Sequence, residues 1–233
     1  MEIQVLASSS SGNCYLLRDG GAPLLLECGL RFQEIRQGVG FGLSSLAGCL
    51  VSHEHGDHAR AVRDMIKAGV DVYASSGTWE ALGVTGHRAR TIKALQKVQI
   101  GPWTVLPFET VHDAAEPLGF LIASAGGKVL YLTDSSYCKY RFQGLTHIMI
   151  ECNHSMDLLR QAVESGAIPL AHKNRVLRNH MSLERCLETL RANDLSTVQE
   201  IHLLHLSDQN SDADRFKRAV AAATGKPVYV APA

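Results

Sequence analysis

Strands come in two runs along this 233-residue chain, each broken by helices. That pattern predicts an α+β fold, a four-layer αββα sandwich in which two sheets lie between helices, made from two similar halves. Three observations carry the prediction. Short apolar runs bounded by turn residues recur from the N-terminus to Val230. Capped helical patterns separate them. No low-complexity segment, Pro/Gly/Ser-rich linker or tandem repeat interrupts the sequence, so residues 1–233 read as a single domain.

Glu2–Ala7, Cys14–Arg18 and Pro23–Glu27 read as strands and Arg31–Gln37 as a short helix. The uncharged run Leu46–Val51 reads as a buried strand. A helix follows from Asp57, with Val62, Met65 and Ile66 on one face and Gly69 as its stop. Val70–Ala74 is the next strand and Thr78–Leu82 the next helix. Val98–Ile100, Thr104–Phe108, Gly119–Ala123 and Lys128–Leu132 form the second run of strands, with a hairpin at Ala125-Gly126-Gly127. His147–Glu151 is a buried strand. Met156–Glu164 and Ser182–Ala192 are helices, the second capped by Ser182. Ile201–Leu206 is a strand, Asp212–Ala223 a helix and Val228–Val230 a closing strand.

Lys and Arg number 23 and Asp and Glu number 23, so the formal net charge is zero. A broad cationic shell for nucleic acid is therefore not indicated, although a local basic rim is compatible with this balance. Met1-Glu2-Ile3-Gln4 lacks the basic region and apolar run of a signal peptide. No apolar stretch approaches a membrane span. Cys14, Cys28, Cys49, Cys138, Cys152 and Cys186 show no C-x-x-C spacing and read as reduced structural thiols, as expected of a cytoplasmic protein.

The most informative stretch is His53-Glu54-His55-Gly56-Asp57-His58, which puts three imidazoles and a carboxylate into one loop between a strand and a helix. Imidazoles at i and i+2 on an extended backbone point the same way. Gly56 is expected to let the chain turn before the next two donors. This donor set suffices for one shared metal site or for two adjacent ones. Three more candidates stand at strand ends, where loops assemble sites on a rigid frame: His112, Asp134 and His205. Taken singly, each histidine is more often a satisfied polar residue and the aspartate more often a turn or helix cap.

In order, these residues match the ligand motifs of the metallo-β-lactamase-fold hydrolases, which the chain resembles from end to end. The resemblance implies that His53, His55 and His112 hold one metal, that Asp57, His58 and His205 hold a second, and that Asp134 bridges them. The ions implied are Zn2+ or Mn2+, and Asp57 counts also among the catalytic residues. Within the superfamily the chain is most similar to the YycJ/WalJ-like branch of DNA exonucleases. The matching stretches are Ala7–Asn13, His112–Phe120, Glu151-Cys152-Asn153-His154 and His205-Leu206-Ser207. Where the family's first motif has an Asp after a strand, this chain has Glu27, which supplies a carboxylate one methylene further out. The diiron oxidoreductases of this fold carry Glu at the position of His55, which argues for hydrolysis.

Two ions roughly 3.5–4 Å apart can hold a hydroxide nucleophile between them. An alkoxide leaving phosphorus also needs a proton. Asn179-His180-Met181-Ser182 resembles the histidine motif of ribonuclease Z-like phosphodiesterases, which implies His180 as general acid with Glu151 as its carboxylate partner. Without the family, His180 reads as a helix N-terminal residue packed on a loop. Ser11 and Asn13 belong to a stretch that is either a phosphate-binding loop or a Ser-rich turn. Asn153 and His154 are substrate-contact candidates, with a structural role as the alternative for His154. His147 and His202 read as satisfied strand positions, and His87 and His172 as solvated loop residues. Lys139 and Arg141, and Lys173, Arg175 and Arg178, flank the candidate site in sequence, with Tyr137 and Tyr140 among the first group. These suit a nucleic-acid strand, although a charge run is commonly only a solvated face.

The leading expectation is a dinuclear metal phosphodiesterase acting on DNA from an end. The alternative is a phosphodiesterase for small cyclic or linear nucleotides. Hydrolysis of thioesters, lactones or lactams has no use for a Glu151–His180 pair. A purely structural metal would want a closed site of four ligands, typically rich in cysteine.

Overall fold

The computed structural model describes residues 1–232. They fall into two compact units, one made chiefly of Met1–Glu109 and Ala114–Gly127, the other of Thr110–Asp113 and Lys128–Ala231.

In the first unit, β1 (Glu2–Ser9), β2 (Gly12–Arg18), β3 (Leu24–Leu26), β4 (Gly48–Leu50), β5 (Val72–Ala74) and β6 (Ala89–Thr91) lie in that order in one sheet. Pairing is antiparallel from β1 to β3 and parallel from β3 to β6. β3 and β4 are buried at every residue, which is why they are continuous apolar runs rather than alternating ones. The helices of this unit are α1 (Phe32–Gly38), α2 (Gly56–Ala59), α3 (Val62–Lys67) and α4 (Ser76–Leu82). Val62 and Met65 of α3 and Trp79 of α4 pack with Leu16, Leu25, Cys49 and Val51. An antiparallel set follows: β7 (Val98–Ile100), β8 (Trp103–Glu109) and β9 (Leu118–Ser124).

In the second unit, β10 (Gly127–Leu132), β11 (His147–Glu151), β12 (Glu200–Leu204) and β13 (Val228–Val230) pair in parallel, each with the next. Its helices are α5 (Met156–Glu164), α6 (Leu170–Asn179), α7 (Leu183–Arg191) and α8 (Ala213–Thr224). In α7 the buried residues are Leu183, Cys186, Thr189 and Leu190, a stripe at helical spacing. Ser182 caps α7 by accepting the Arg185 N–H, and Asp212 caps α8 by accepting that of Arg215. Among the described residues all six cysteines are free thiols, five of them buried; burial pushes the Cys14 and Cys152 thiols well up, and a hydrogen bond with Cys28 together with burial does the same to Cys49. Buried thiols of that kind are inert.

The structure departs from the sequence reading in five places. The helix expected from Asp57 is two pieces, α2 and α3, separated near Ala61. His172, expected in a solvated loop, is instead an exposed residue of helix α6. Only Val176 and Asn179 of α6 are buried, which leaves too little apolar periodicity to betray a helix. The edge strand β6 and a 3-10 turn at Leu43–Ser45 were also not expected. Finally, Gly56 makes no turn that requires glycine. It is the first residue of α2, and a Cβ there would meet nothing within 4 Å.

The glycine that the ligand loop does require is Gly29. A Cβ on it would fall 1.7 Å from the Asp57 carbonyl oxygen and 2.9 Å from the Asn13 nitrogen, both backbone atoms. Gly29→Ala is therefore expected to cost about 2–4 kcal/mol and to lower the melting temperature by roughly 5–15 °C. Gly56→Ala is expected to leave it unchanged. Thermal denaturation of the two variants checks this, and equal effects would contradict the packing at Gly29.

Candidate functional site

In the first unit the donor loop leaves the tip of β4 at Val51, whose N–H is held by the Tyr73 carbonyl. Ser52 and His53 are buried. His53 Nδ1 lies 2.8 Å from Ser52 Oγ, which turns its Nε2 toward His55 Nδ1 at 3.0 Å. Two imidazole nitrogens this close share one proton or give both lone pairs to a cation. His58 is fully buried, with Nδ1 3.6 Å from Glu27 Oε2 and Nε2 3.3 Å from Asp57 Oδ2. Glu27 Oε2 also accepts the Ser52 N–H at 3.2 Å, so the longer side chain does reach the histidine loop. It does so from a left-handed backbone, with φ 62°.

Asn13, fully buried, spends its amide on this loop. Nδ2 donates to the Ser9 carbonyl at 3.0 Å and lies 3.2 Å from His58 Nε2, and Oδ1 accepts the Tyr15 hydroxyl at 3.1 Å. Ser11 is exposed at the β1–β2 turn. Glu54 and Glu116 act as anchors, a role the sequence does not signal. Glu54 accepts the Ala115 N–H at 2.8 Å, and Glu116 accepts that of Gly77 at 2.7 Å. Both hold the segment leading to β9. Nothing in their spacing announces that role, because their partners are backbone amides far away in sequence.

In the second unit the donors stand at strand ends. Asp134 follows β10 and His205 follows β12, both in left-handed conformations with φ 43° and 53°. His112 donates Nδ1–H to the Asn179 carbonyl at 3.0 Å, which fixes the tautomer and leaves the Nε2 lone pair 3.5 Å from Asp134 Oδ2. Burial lowers the His112 pKa against the pull of Asp134, so the ring is held neutral, as a ligand must be. His205 Nδ1 lies 3.6 Å from Asp134 Oδ1 and 3.5 Å from Glu151 Oε1. Asn153 donates to the His205 carbonyl at 2.9 Å and so supports that turn.

Glu151 ends β11 with no solvent exposure. Its Oε2 accepts the N–H groups of Ser135 (2.9 Å) and Met181 (3.1 Å), and its Oε1 is 2.7 Å from His180 Nδ1. His180 is the residue after α6, not a helix N-terminal one, and its ring stacks on His205 with centroids 5.3 Å apart. Burial works against a charged His180, but the Glu151 carboxylate overcomes it and the imidazole pKa is raised. Burial likewise opposes ionised Glu151, and His180 reverses that, so its pKa is lowered. The two directions agree on a charged pair. Asp134, Glu151, His180 and His205 all offer donor atoms within 4.8 Å of one another. Imidazole and carboxylate donors, with second nitrogens anchored by Ser52, Glu27 and the Asn179 carbonyl, suit a divalent cation.

The basic residues are placed unevenly. Lys139 sits over the Tyr140 ring at 5.2 Å, and Arg175 of α6 is 3.8 Å from Asp113. His147 and His202 are strand residues near Glu200, at 3.8 and 3.0 Å, as expected of satisfied polar positions. No helix among the described residues is long and apolar enough to cross a membrane.

The beta-lactamase superfamily domain matches residues 25–203. Exodeoxyribonuclease WalJ of Streptococcus pneumoniae is 30% identical over 224 residues, covering 89% of this chain and 82% of that protein. Exodeoxyribonuclease YycJ of Bacillus anthracis is 27% identical over 239 residues, covering 95% of this chain and 88% of that protein. Among solved structures, the metallo-β-lactamase-fold protein YhfI of Bacillus subtilis aligns with a TM-score of 0.76 at 17% identity, over 99% of this chain and 95% of that one. The fold is thus the αββα type that the strand pattern predicts. With most of its length inside the family domain and a relative at 30% identity, the chain belongs to the beta-lactamase superfamily and is a metal-dependent hydrolase.

Proposed function

We propose that the protein is a dinuclear phosphodiesterase that removes nucleotides from a DNA end, residues 1–233 acting as one catalytic domain in the cytoplasm. The observation that carries this reading is the buried Glu151–His180 pair at 2.7 Å. Relatives at 27–30% identity that are named exodeoxyribonucleases support the choice of DNA. The ligand assignment follows the family motifs: His53, His55 and His112 for one ion, Asp57, His58 and His205 for the other, and Asp134 between them. Two ions, zinc or manganese, would polarise the phosphoryl oxygen and make water nucleophilic near neutral pH.

The protein's own residues supply the rest. Hydrogen bonds to Ser52 and to the Asn179 carbonyl orient His53 and His112. Glu27 faces His58 and disfavours its rotation. Glu151 holds His180 by Nδ1, so Nε2 carries the proton for the departing oxygen. An alkoxide leaving phosphorus needs that proton, whereas a thiolate does not. The Glu151 carboxylate raises the His180 pKa against the effect of burial, which favours the proton-loaded form of the acid.

Elemental analysis of metal-loaded protein is expected to saturate at two ions per chain, and Asp134→Ala to disturb both. Saturation at one ion with full activity would overturn the dinuclear reading.

His180→Ala is expected to keep its metals and fold while losing about 10²–10⁴-fold in turnover on DNA. The loss should be much smaller on bis(4-nitrophenyl) phosphate, whose leaving group needs no proton. Glu151→Gln should give a milder version of the same pattern. Turnover of DNA should fall as pH rises through the raised His180 pKa, since the acid form is present below it and lost above it. The nitrophenyl substrate should lack that alkaline limb. Equal losses on the two substrates would remove His180 from acid catalysis. Efficient turnover of cyclic mononucleotides with DNA untouched would favour the small-nucleotide alternative.

A further inference from the structure

Beside His180 the second unit has a cavity of about 350 Å³, lined in part by His154, Met156, His180, Ser182, Glu184 and Arg185. That lies at the small end of the roughly 300–1,000 Å³ of ligand pockets. The mechanism above makes no use of it. We propose that this cavity is a nucleobase subsite, which receives the base of the nucleotide flanking the phosphate to be cut. The proposal rests on the nuclease reading and adds to it a determinant of how the strand is seated.

His154 is the first support. It is completely buried, yet neither ring nitrogen has a hydrogen-bond partner in the protein. Buried polar groups are nearly always paired, so an orphaned imidazole on a cavity wall is matched to something that enters. Burial holds the His154 pKa down at about 4, so at neutral pH the ring is uncharged and offers one donor and one acceptor. That is the complement of a base edge, not of a phosphate.

The charges point the same way. Glu184 and Glu188 line the cavity with Arg185, and Arg185 is already paired with Glu188 at 2.7 Å. An anion gains little from such a wall, whereas a neutral heterocycle meets acceptors. Arg185 of the lining also lies 5.8 Å from the ring centroid of Tyr137, a half-exposed residue next in sequence to Ser136 of the lining. Met156, on the cavity wall, is 39% exposed. An exposed aromatic ring and a guanidinium are surfaces on which bases stack. His180 also lines the cavity, so a base seated here neighbours the group proposed to protonate the leaving oxygen.

The test uses metal-loaded, full-length protein and short single-stranded DNA in three forms: unmodified, with an abasic terminal nucleotide at the 5′ end, or with one at the 3′ end. The abasic nucleotide is expected to lower kcat/KM about tenfold or more at the end where digestion begins. His154→Leu, which keeps the bulk and removes the nitrogens, should bring the unmodified strand down to the abasic rate. It should leave the abasic strand and bis(4-nitrophenyl) phosphate unchanged. Tyr137→Ala, at an exposed position, should reproduce the selective loss even if His154→Leu folds poorly. Equal rates on all three strands in the unaltered protein would overturn the base subsite alone. Equal losses on every substrate in both variants would reduce the two residues to a structural role and overturn it as well. Hydrolysis of the nitrophenyl diester with no strand cut would remove the nuclease reading and this proposal together.

Discussion

One buried carboxylate organises the catalytic half of the second unit. Glu151 has no solvent contact, so each of its oxygens must be satisfied by protein. Its Oε2 takes the Ser135 amide, fixing the turn that carries Asp134, and the Met181 amide, fixing the junction between α6 and α7. Its Oε1 takes His180 and faces His205. The tips of β10, β11 and β12 and the end of α6 therefore converge on one side chain. Breaking one of these contacts leaves a buried charge under-satisfied, which disfavours partial rearrangements. The site is stiff because one anion is shared among several elements.

The first unit reaches a comparable result by different means. Its donors are contiguous in sequence, and what has to be imposed is orientation. Asn13, Ser52 and Glu27 do this with side-chain hydrogen bonds, while the bare backbone of Gly29 lets the Asp57 carbonyl approach. Glu54, inside the donor loop but turned away from the donors, ties the loop to Ala115.

This contrast explains what could be read from the sequence. His53, His55, Asp57 and His58 are legible because the loop writes them side by side. His112, Asp134 and His205 are legible only as strand ends and gain meaning through the family pattern, since no local rule links residues so far apart. Strand positions survived well because buried parallel strands are continuous apolar runs. Helix α6 did not, because it buries almost nothing. Gly56 misleads for a related reason. A glycine in a ligand loop invites a turn argument, but the steric demand sits at Gly29, and that demand comes from a through-space neighbour. Glu54, Glu116 and the cavity beside His180 depend on tertiary placement and leave no mark in spacing.

Among the described residues, five other than glycine have positive φ, and Glu27, Asp134 and His205 are three of them. Glu27 and His205 directly follow strands β3 and β12, and Asp134 follows β10 after Thr133. A left-handed backbone costs such residues about 1–3 kcal/mol. Glycine would relieve that cost at any of the three, and in doing so would delete a proposed ligand or its support. Selection for a sturdier protein and selection for a working one therefore pull in opposite directions at these strand tips. A lineage released from its chemical task would be expected to lose these side chains early, and to become more stable as it did so.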